Sequence, residues 1–378
     1  MIDNLSNANI ALQNLVEKMN EQVALWDIDE TLTDYKAIKS TDWKWNMATD
    51  YPAKNGLTAF SCFACGGGST MGYKLCGVDV LGCCEIDKKM NDVYVANHHP
   101  KYNYLMDIRK FNELEDLPEE LFNIDILDGS PPCTTFSMAG EREDSWGKKK
   151  KFREGQSEQT LDDLSFVFID TVAKLRPKTV IMENVEGLLL GNAYKYVEKI
   201  YARFREIGYT VRHWLLKGED MGVPQTRHRV FFVATRLDFD LSNIDLIFNY
   251  EPITFGDIMT GQHAVENGKK AEVAKLSSEE DKLLSDTMMR LYNKCTYFSE
   301  RIVYRNKICP TLVAGGSDIW IENWGAKINQ NEIINAQTFP QDYNYCGQKP
   351  KYICGMSVPP LMIKRLVTRI IESGIFNL

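Results

Sequence analysis

The sequence predicts an α/β protein: a doubly wound, Rossmann-like sheet with a second, smaller domain attached. Three observations carry that prediction. Apolar strand patterns alternate with helical ones from Gly56 onward for about 180 residues, as a doubly wound sheet requires. Residues able to do chemistry recur where the predicted strands end, which is where such sheets bind ligands. After Leu237 the alternation fades into a polar, turn-rich stretch reaching Glu332.

The elements follow in order. Leu57 to Phe63 reads as a strand entering a glycine-rich turn, and Gly77 to Cys84 as a second strand. Phe122 to Leu127 is another strand, breaking off at Asp128-Gly129-Ser130-Pro131-Pro132. Leu164 to Leu175 is helical and stops before Pro177. Thr179 to Met182 is a buried strand, and Tyr194 to Ile207 a helix stopped by Gly208. Thr210 to Leu216 and Val230 to Ala234 are further strands, and about Pro360 to Ser373 a last helix apolar on one face. Ahead of all this, Leu5, Ile10, Leu12, Leu15, Val16 and Met19 recur at helical spacing, and Trp26, Trp43 and Trp45 are expected to cover the body of the protein.

Composition sets limits. With 378 residues, 44% hydrophobic and 25% charged, the chain reads as a globular protein. It has no run of about 18 apolar residues and no signal-peptide pattern, so a cytoplasmic location without membrane association is expected. Ten cysteines at irregular spacings suggest no disulfide framework. Cys62 and Cys65 form one CxxC pair without a second to complete a zinc site, so no metal is expected. The net charge of -8 speaks against a globally nucleic-acid-binding surface. A local stripe, Lys148-Lys149-Lys150-Lys151-Phe152-Arg153, can still do that work.

The glycine turn is Phe63-Ala64-Cys65-Gly66-Gly67-Gly68, between a strand and a helix. Glycine permits tight turning and close backbone approach. Glu85, at the end of the next strand, can accept from two ribose hydroxyls. Asp107, before Ile108, can accept from an adenine amine. Together these imply an adenosine-bearing cofactor, with a nicotinamide dinucleotide and S-adenosylmethionine both open. Cys133 follows Pro131-Pro132 in a proline-stiffened loop, a presentation suited to a nucleophile. Glu183, within Glu183-Asn184-Val185, is expected close to it, and a carboxyl partly buried there can hold a proton. Gln225, Arg227 and Arg229 alternate along an extended segment and are expected to point together.

With these residues in place, residues 56 to 378 resemble the cytosine-C5 DNA methyltransferases. The glycine turn, Pro132-Cys133 followed by Phe136-Ser137, Glu183-Asn184-Val185, Gln225 to Arg229, Gln337-Thr338-Phe339-Pro340 and Gly355-Met356-Ser357-Val358 follow the family's order. The resemblance implies S-adenosylmethionine as cofactor, with no metal, and Cys133, Glu183, Arg227 and Arg229 as catalytic residues. It implies cofactor contacts from the turn residues Phe63 to Gly68 and from Glu85, Ile86, Asp107 and Ile108. Pro131, Leu164, Ser357 and Val358 complete that set. It implies a monomeric enzyme acting on a flipped cytosine in duplex DNA, with Lys148, Lys149, Lys150, Lys151, Arg153 and Gln225 as DNA contacts. A cognate restriction endonuclease would be a functional companion rather than a physical one.

The implied organisation is an extension of unassigned role over 1–55 and a catalytic domain over 56–236. A target-recognition domain over 237–332 and a hinge with returning helix over 333–378 follow. The chain departs from the family where Cys65 replaces Gly and Met356 replaces Asn. A dehydrogenase shares the sheet and turn but does not need the Cys133, Glu183 and Arg229 motifs together. A tRNA cytosine methyltransferase and a catalytically inactive DNA-binding homologue are the nearer rivals.

Overall fold

The structure is a computed structural model that describes residues 37–132 and 164–376. The predicted helix over Leu5 to Met19, Trp26, Cys133 and the Lys148 to Arg153 stripe lie outside the described residues. The chain divides into two compact units, Met1–Ile38 and Lys39–Leu378, and every element below belongs to the second.

Among the described residues, seven strands form the main sheet. They are β1 Thr58–Cys62, β2 Asp79–Glu85, β3 Tyr102–Leu105, β4 Ile126–Gly129, β5 Thr179–Val185, β6 Thr210–Lys217 and β8 His228–Thr235. A two-residue strand, β7 Gln225–Thr226, precedes the last of these. The order is β3-β2-β1-β4-β5-β8-β6. All neighbours are parallel except β8, which runs antiparallel to both β5 and β6. The central strands are buried nearly throughout, as strands covered on both faces must be. At the β3 edge burial alternates between half-buried and exposed, because successive side chains point to opposite faces and one face is less covered.

Helices α1 Gly68–Lys74, α2 Lys88–His98, α3 Ile108–Glu113, α4 Leu164–Leu175 and α5 Tyr194–Glu206 alternate with the strands. One face of the sheet is covered by α3, α4 and α5, through Phe111, Phe168, Val172, Ile200 and Phe204. The other is covered by α1 and the final helix, Pro360–Glu372, through Tyr73, Leu361, Met362, Leu366 and Ile370. The apolar stripe of that helix is the face buried in this core. Leu241, Ile244 and Leu246 pack in the same core, so the chain stays on the large sheet past Leu237. A smaller assembly follows. Its strands are β9 Arg301–Val303, β10 Cys309–Pro310, β11 Ile319–Ile321 and β12 Ala326–Lys327. Its short helices are α6 Phe255–Ile258, α7 Lys269–Lys275 and α8 Leu284–Tyr292, ahead of α9 Gln330–Ala336 and α10 Pro350–Met356. Its apolar residues join Met71, Met90 and Trp45 in a third core. Trp45 is buried, and its indole N–H donates to the Thr338 carbonyl at 2.8 Å.

Strands β1, β2 and β3 run outward one way from the middle of the sheet, and β4 and β5 run the other. The reversal falls between β1 and β4, whose carboxyl ends open the crevice where such folds hold ligands.

Candidate active site

The glycine turn sits at that crevice, and its glycines are required by packing within the protein. A side chain at Gly67 (φ 79°) would overlap the His98 ring, one at Gly68 the Val358 carbonyl, and one at Gly66 the Ile353 side chain. The Tyr343 hydroxyl donates to the Gly66 carbonyl. The sequence reading gave the glycines to a ligand; in the structure α2, α10 and the C-terminal segment press on them. His98 and Tyr343 were missed because only the fold brings them to the turn. Burial pushes the His98 imidazole well below the usual histidine range, so it packs there uncharged.

Cys65 occupies a left-handed conformation (φ 47°), as does Phe63 (φ 55°). That angle explains the family's glycine at the Cys65 position, since a side chain there costs about 1–2 kcal/mol. Cys65→Gly is expected to raise Tm by about 2 °C, after the entropy cost of glycine is subtracted. A lower Tm in a thermal melt would mean that sulfur packing outweighs the strain. Cys62 is buried in β1, and burial pushes its thiol well up, so it is a core residue and not half of a reactive pair.

Glu85 ends β2 and is almost fully buried, at 6% exposure. One of its oxygens accepts from Cys65 N and the other from Asp87 N, both at 2.8 Å. These two backbone hydrogen bonds fix the orientation of the carboxylate at the end of β2. Ile86, beside it, is half-buried. Asp107 caps α3 by accepting from Arg109 N at 2.8 Å, and Ile108 is buried in the core below. Pro131 and Leu164 are both buried. The Ser357 hydroxyl donates to the Ile353 carbonyl at 2.9 Å, so its proton is already committed. Val358 is buried against the turn. These residues fit a bound adenosine: an oriented carboxylate for the ribose, a capped acid beyond it, and a shaped turn.

A second cluster of charged groups lies two strands from β1, at the end of β5. Gly129 at the end of β4 stands opposite Met182 of β5, one residue before Glu183. Because β8 is antiparallel, its amino end meets the carboxyl end of β5, with Arg229 opposite Val185. Arg229 Nε lies 2.8 Å from Glu183 Oε1, and both side chains are mostly buried. Asp128, in β4, accepts from the Ser61 hydroxyl at 2.7 Å and the Tyr73 hydroxyl at 3.1 Å. Burial pushes its carboxyl up to about 7, against those hydrogen bonds.

The expected alignment of Gln225, Arg227 and Arg229 is not observed. The extended run is interrupted at Arg227, because β7 pairs with β10 while β8 pairs with β5 and β6. Gln225 is fully buried. Its amide donates to the Ala336 carbonyl and to Gln337 Oε1 and accepts from Leu312 N. It therefore has no surface to offer a duplex, and its assignment as a DNA contact is corrected to an internal clamp. Arg227 is also buried. It donates to the Leu312 carbonyl at 3.2 Å, and burial, aided by Arg229, pushes its guanidinium down to about 9. Among the described residues it is Arg229 that makes the ion pair with Glu183, while Arg227 feels the same carboxylate from its buried position.

A seven-stranded sheet of this order, with a glycine turn, a fixed acid and a buried Glu–Arg pair gathered at its strand ends, is a Rossmann-like fold. A family model for C-5 cytosine-specific DNA methylases matches residues 57–372, and the chain belongs to that family. It is 26% identical over 353 residues to the Type II methyltransferase M.Bsp6I of Bacillus sp., covering 84% of this chain and 99% of the relative. It is 33% identical over 189 residues to M.FnuDI of Fusobacterium nucleatum, where it spans only 50% of either chain. A triple-substitution variant of Spodoptera frugiperda DNMT2 shares the fold, with a TM-score of 0.57 over 84% of this chain at 17% identity. The protein is a DNA cytosine-C5 methyltransferase, and its family uses S-adenosylmethionine as methyl donor. Among the described residues no helix is long and apolar enough to cross a membrane.

Proposed function

We propose that this chain methylates a flipped-out cytosine of duplex DNA through a covalent adduct with Cys133. The observation that supports this reading is the Glu183–Arg229 pair, set beside the end of β4, whose last residue Gly129 precedes Cys133 closely in sequence. Cytosine carbon 5 is too weak a nucleophile unaided. The Cys133 thiolate adds to carbon 6, forming a carbon–sulfur bond and pushing the electron pair toward carbon 5. Glu183, carrying a proton, donates to ring nitrogen 3 and accepts from the exocyclic amine, and Arg229 donates to the ring carbonyl, stabilising the negative charge that develops. Bound S-adenosylmethionine supplies the methyl group that carbon 5 takes up. Loss of the carbon 5 proton then expels the Cys133 thiolate and restores the ring.

Without a base, Glu183 and Arg229 satisfy each other, so entry of cytosine exchanges one ion pair for two substrate contacts. That exchange helps offset unstacking, which costs roughly a few kcal/mol. Glu85 holds the ribose, Asp107 the adenine amine, and the turn and Val358 the remainder of the cofactor. The 148–153 stripe contributes phosphate contacts, and residues 237–332 contribute site choice. The Type II names of the relatives favour a protective role beside a restriction endonuclease.

Product analysis after methyl transfer from labelled cofactor tests this reading. 5-Methylcytosine in duplex DNA and not in tRNA is expected, whereas methyl transfer to tRNA alone would contradict it. Glu85→Ala is expected to weaken S-adenosylmethionine binding by roughly 1–3 kcal/mol, the scale of losing hydrogen bonds to a charged group. Calorimetry with cofactor alone measures this, and unchanged affinity would displace the ribose site from Glu85.

A further inference from the structure

His228 opens β8, one residue before Arg229, and alternation turns its side chain away from the Glu183–Arg229 pair. Its ring is held between two carboxylates. Nε2 lies 2.8 Å from Glu219 Oε1 and Nδ1 lies 3.3 Å from Glu186 Oε2. A neutral imidazole carries one N–H and one lone pair, and a lone pair facing a carboxylate is repelled. Both contacts are attractive only when both nitrogens are protonated. The hydrogen bond to Glu219 is the main influence raising the His228 pKa, with Glu186 adding to it and burial opposing.

The two carboxylates belong to different strand ends. Glu186 is the first residue after β5, three beyond Glu183, and opens the 3-10 turn Glu186–Leu189. Glu219 opens the 3-10 turn Glu219–Met221 that follows β6. The other charged groups around the ring are Lys217, its cross-strand partner on β6, Asp220 beside Glu219, and Arg229. Arg229 Nη1 donates to the His228 carbonyl at 2.7 Å, so the backbone of His228 is itself a support of the Arg229 guanidinium.

We propose that His228, as an imidazolium bridging Glu186 and Glu219, is a positioning residue that fixes the Glu183 and Arg229 side chains for the methyl-transfer reaction. It locks the end of β5 that carries Glu183 to the start of β8 that carries Arg229, and both to the turn after β6. The inference rests on the catalytic roles proposed for Glu183 and Arg229. The pH dependence follows from the sign of the shift. A histidine pKa raised by folding contributes its stabilisation fully below the unfolded value of about 6.5 and loses it as pH rises through the folded value. The bridge, and the alignment it enforces, are therefore lost on the alkaline side.

The test is methyl transfer to duplex DNA across about pH 6 to 9, for wild type, His228→Gln, His228→Lys and Glu183→Gln, with an NMR titration of the histidine ring protons. Wild-type kcat is expected to fall on the alkaline side with the midpoint at which His228 titrates. His228→Gln is expected to lose about tenfold in kcat at neutral pH, to lack that limb, and to keep its cofactor KM. His228→Lys, which retains a cation, is expected to recover part of the rate without the limb. Wild-type kcat and an unchanged alkaline limb in His228→Gln would overturn the proposal, as would a His228 midpoint unrelated to the limb. Full activity in Glu183→Gln would instead overturn the catalytic reading, and the positioning role with it.

Discussion

Cys133→Ala is expected to abolish methylation of DNA, by at least about 10⁴-fold, because without the sulfur adduct carbon 5 never becomes a competent nucleophile. The loss should fall on kcat under saturating DNA and cofactor. Glu85 and the turn are untouched, so S-adenosylmethionine binding should match that of wild type. Thermal stability should change little. Retained methylation in the alanine variant would mean that the reaction does not pass through Cys133.

Glu183→Gln is expected to lower the single-turnover rate by about 10²–10³-fold, the scale of removing one preorganised charge-stabilising group. A neutral amide still fills the space and can make one hydrogen bond to the base. It has no acidic proton to give ring nitrogen 3 as negative charge grows on the ring, and in the empty site it strips Arg229 of its counter-ion. The Arg229 guanidinium then sits mostly buried and unpaired, so Tm should fall as well. Rapid-quench kinetics at saturating DNA separates this loss from weaker binding. A rate within about threefold of wild type would remove Glu183 from the chemistry.

The fold was legible because its signals are local. Alternating apolar strands, Pro177 and Gly208 stopping helices, and the stripe on the last helix each depend on residues a few positions apart. The place of Glu85 at the end of β2 was legible for the same reason, from the turn and the apolar run that precede it. Gln225 was misread because its partners, Leu312, Ala336 and Gln337, are far away in sequence, and nothing near Gln225 announces that its amide is fully used. The break at Arg227 was hidden because the alternation of Gln225, Arg227 and Arg229 looks continuous. Only the distant β10 shows that β7 pairs elsewhere. The glycine turn was located correctly and explained differently, since His98, Ile353 and Val358 reach it from three separate parts of the chain. His228 carried a signal that went unused: an ionisable residue between two arginines, facing the other side of the strand.

The most direct measurement of the central claim is covalent capture on duplex DNA carrying 5-fluorocytosine, in the presence of S-adenosylmethionine. Fluorine at carbon 5 cannot leave as the proton does, so the adduct cannot resolve. The account predicts a denaturation-resistant complex of one chain with DNA, with the modified peptide containing Cys133, and no complex for Cys133→Ala. A wild-type protein that methylates ordinary duplex DNA but forms no such complex, or forms it equally after Cys133→Ala, would contradict the account.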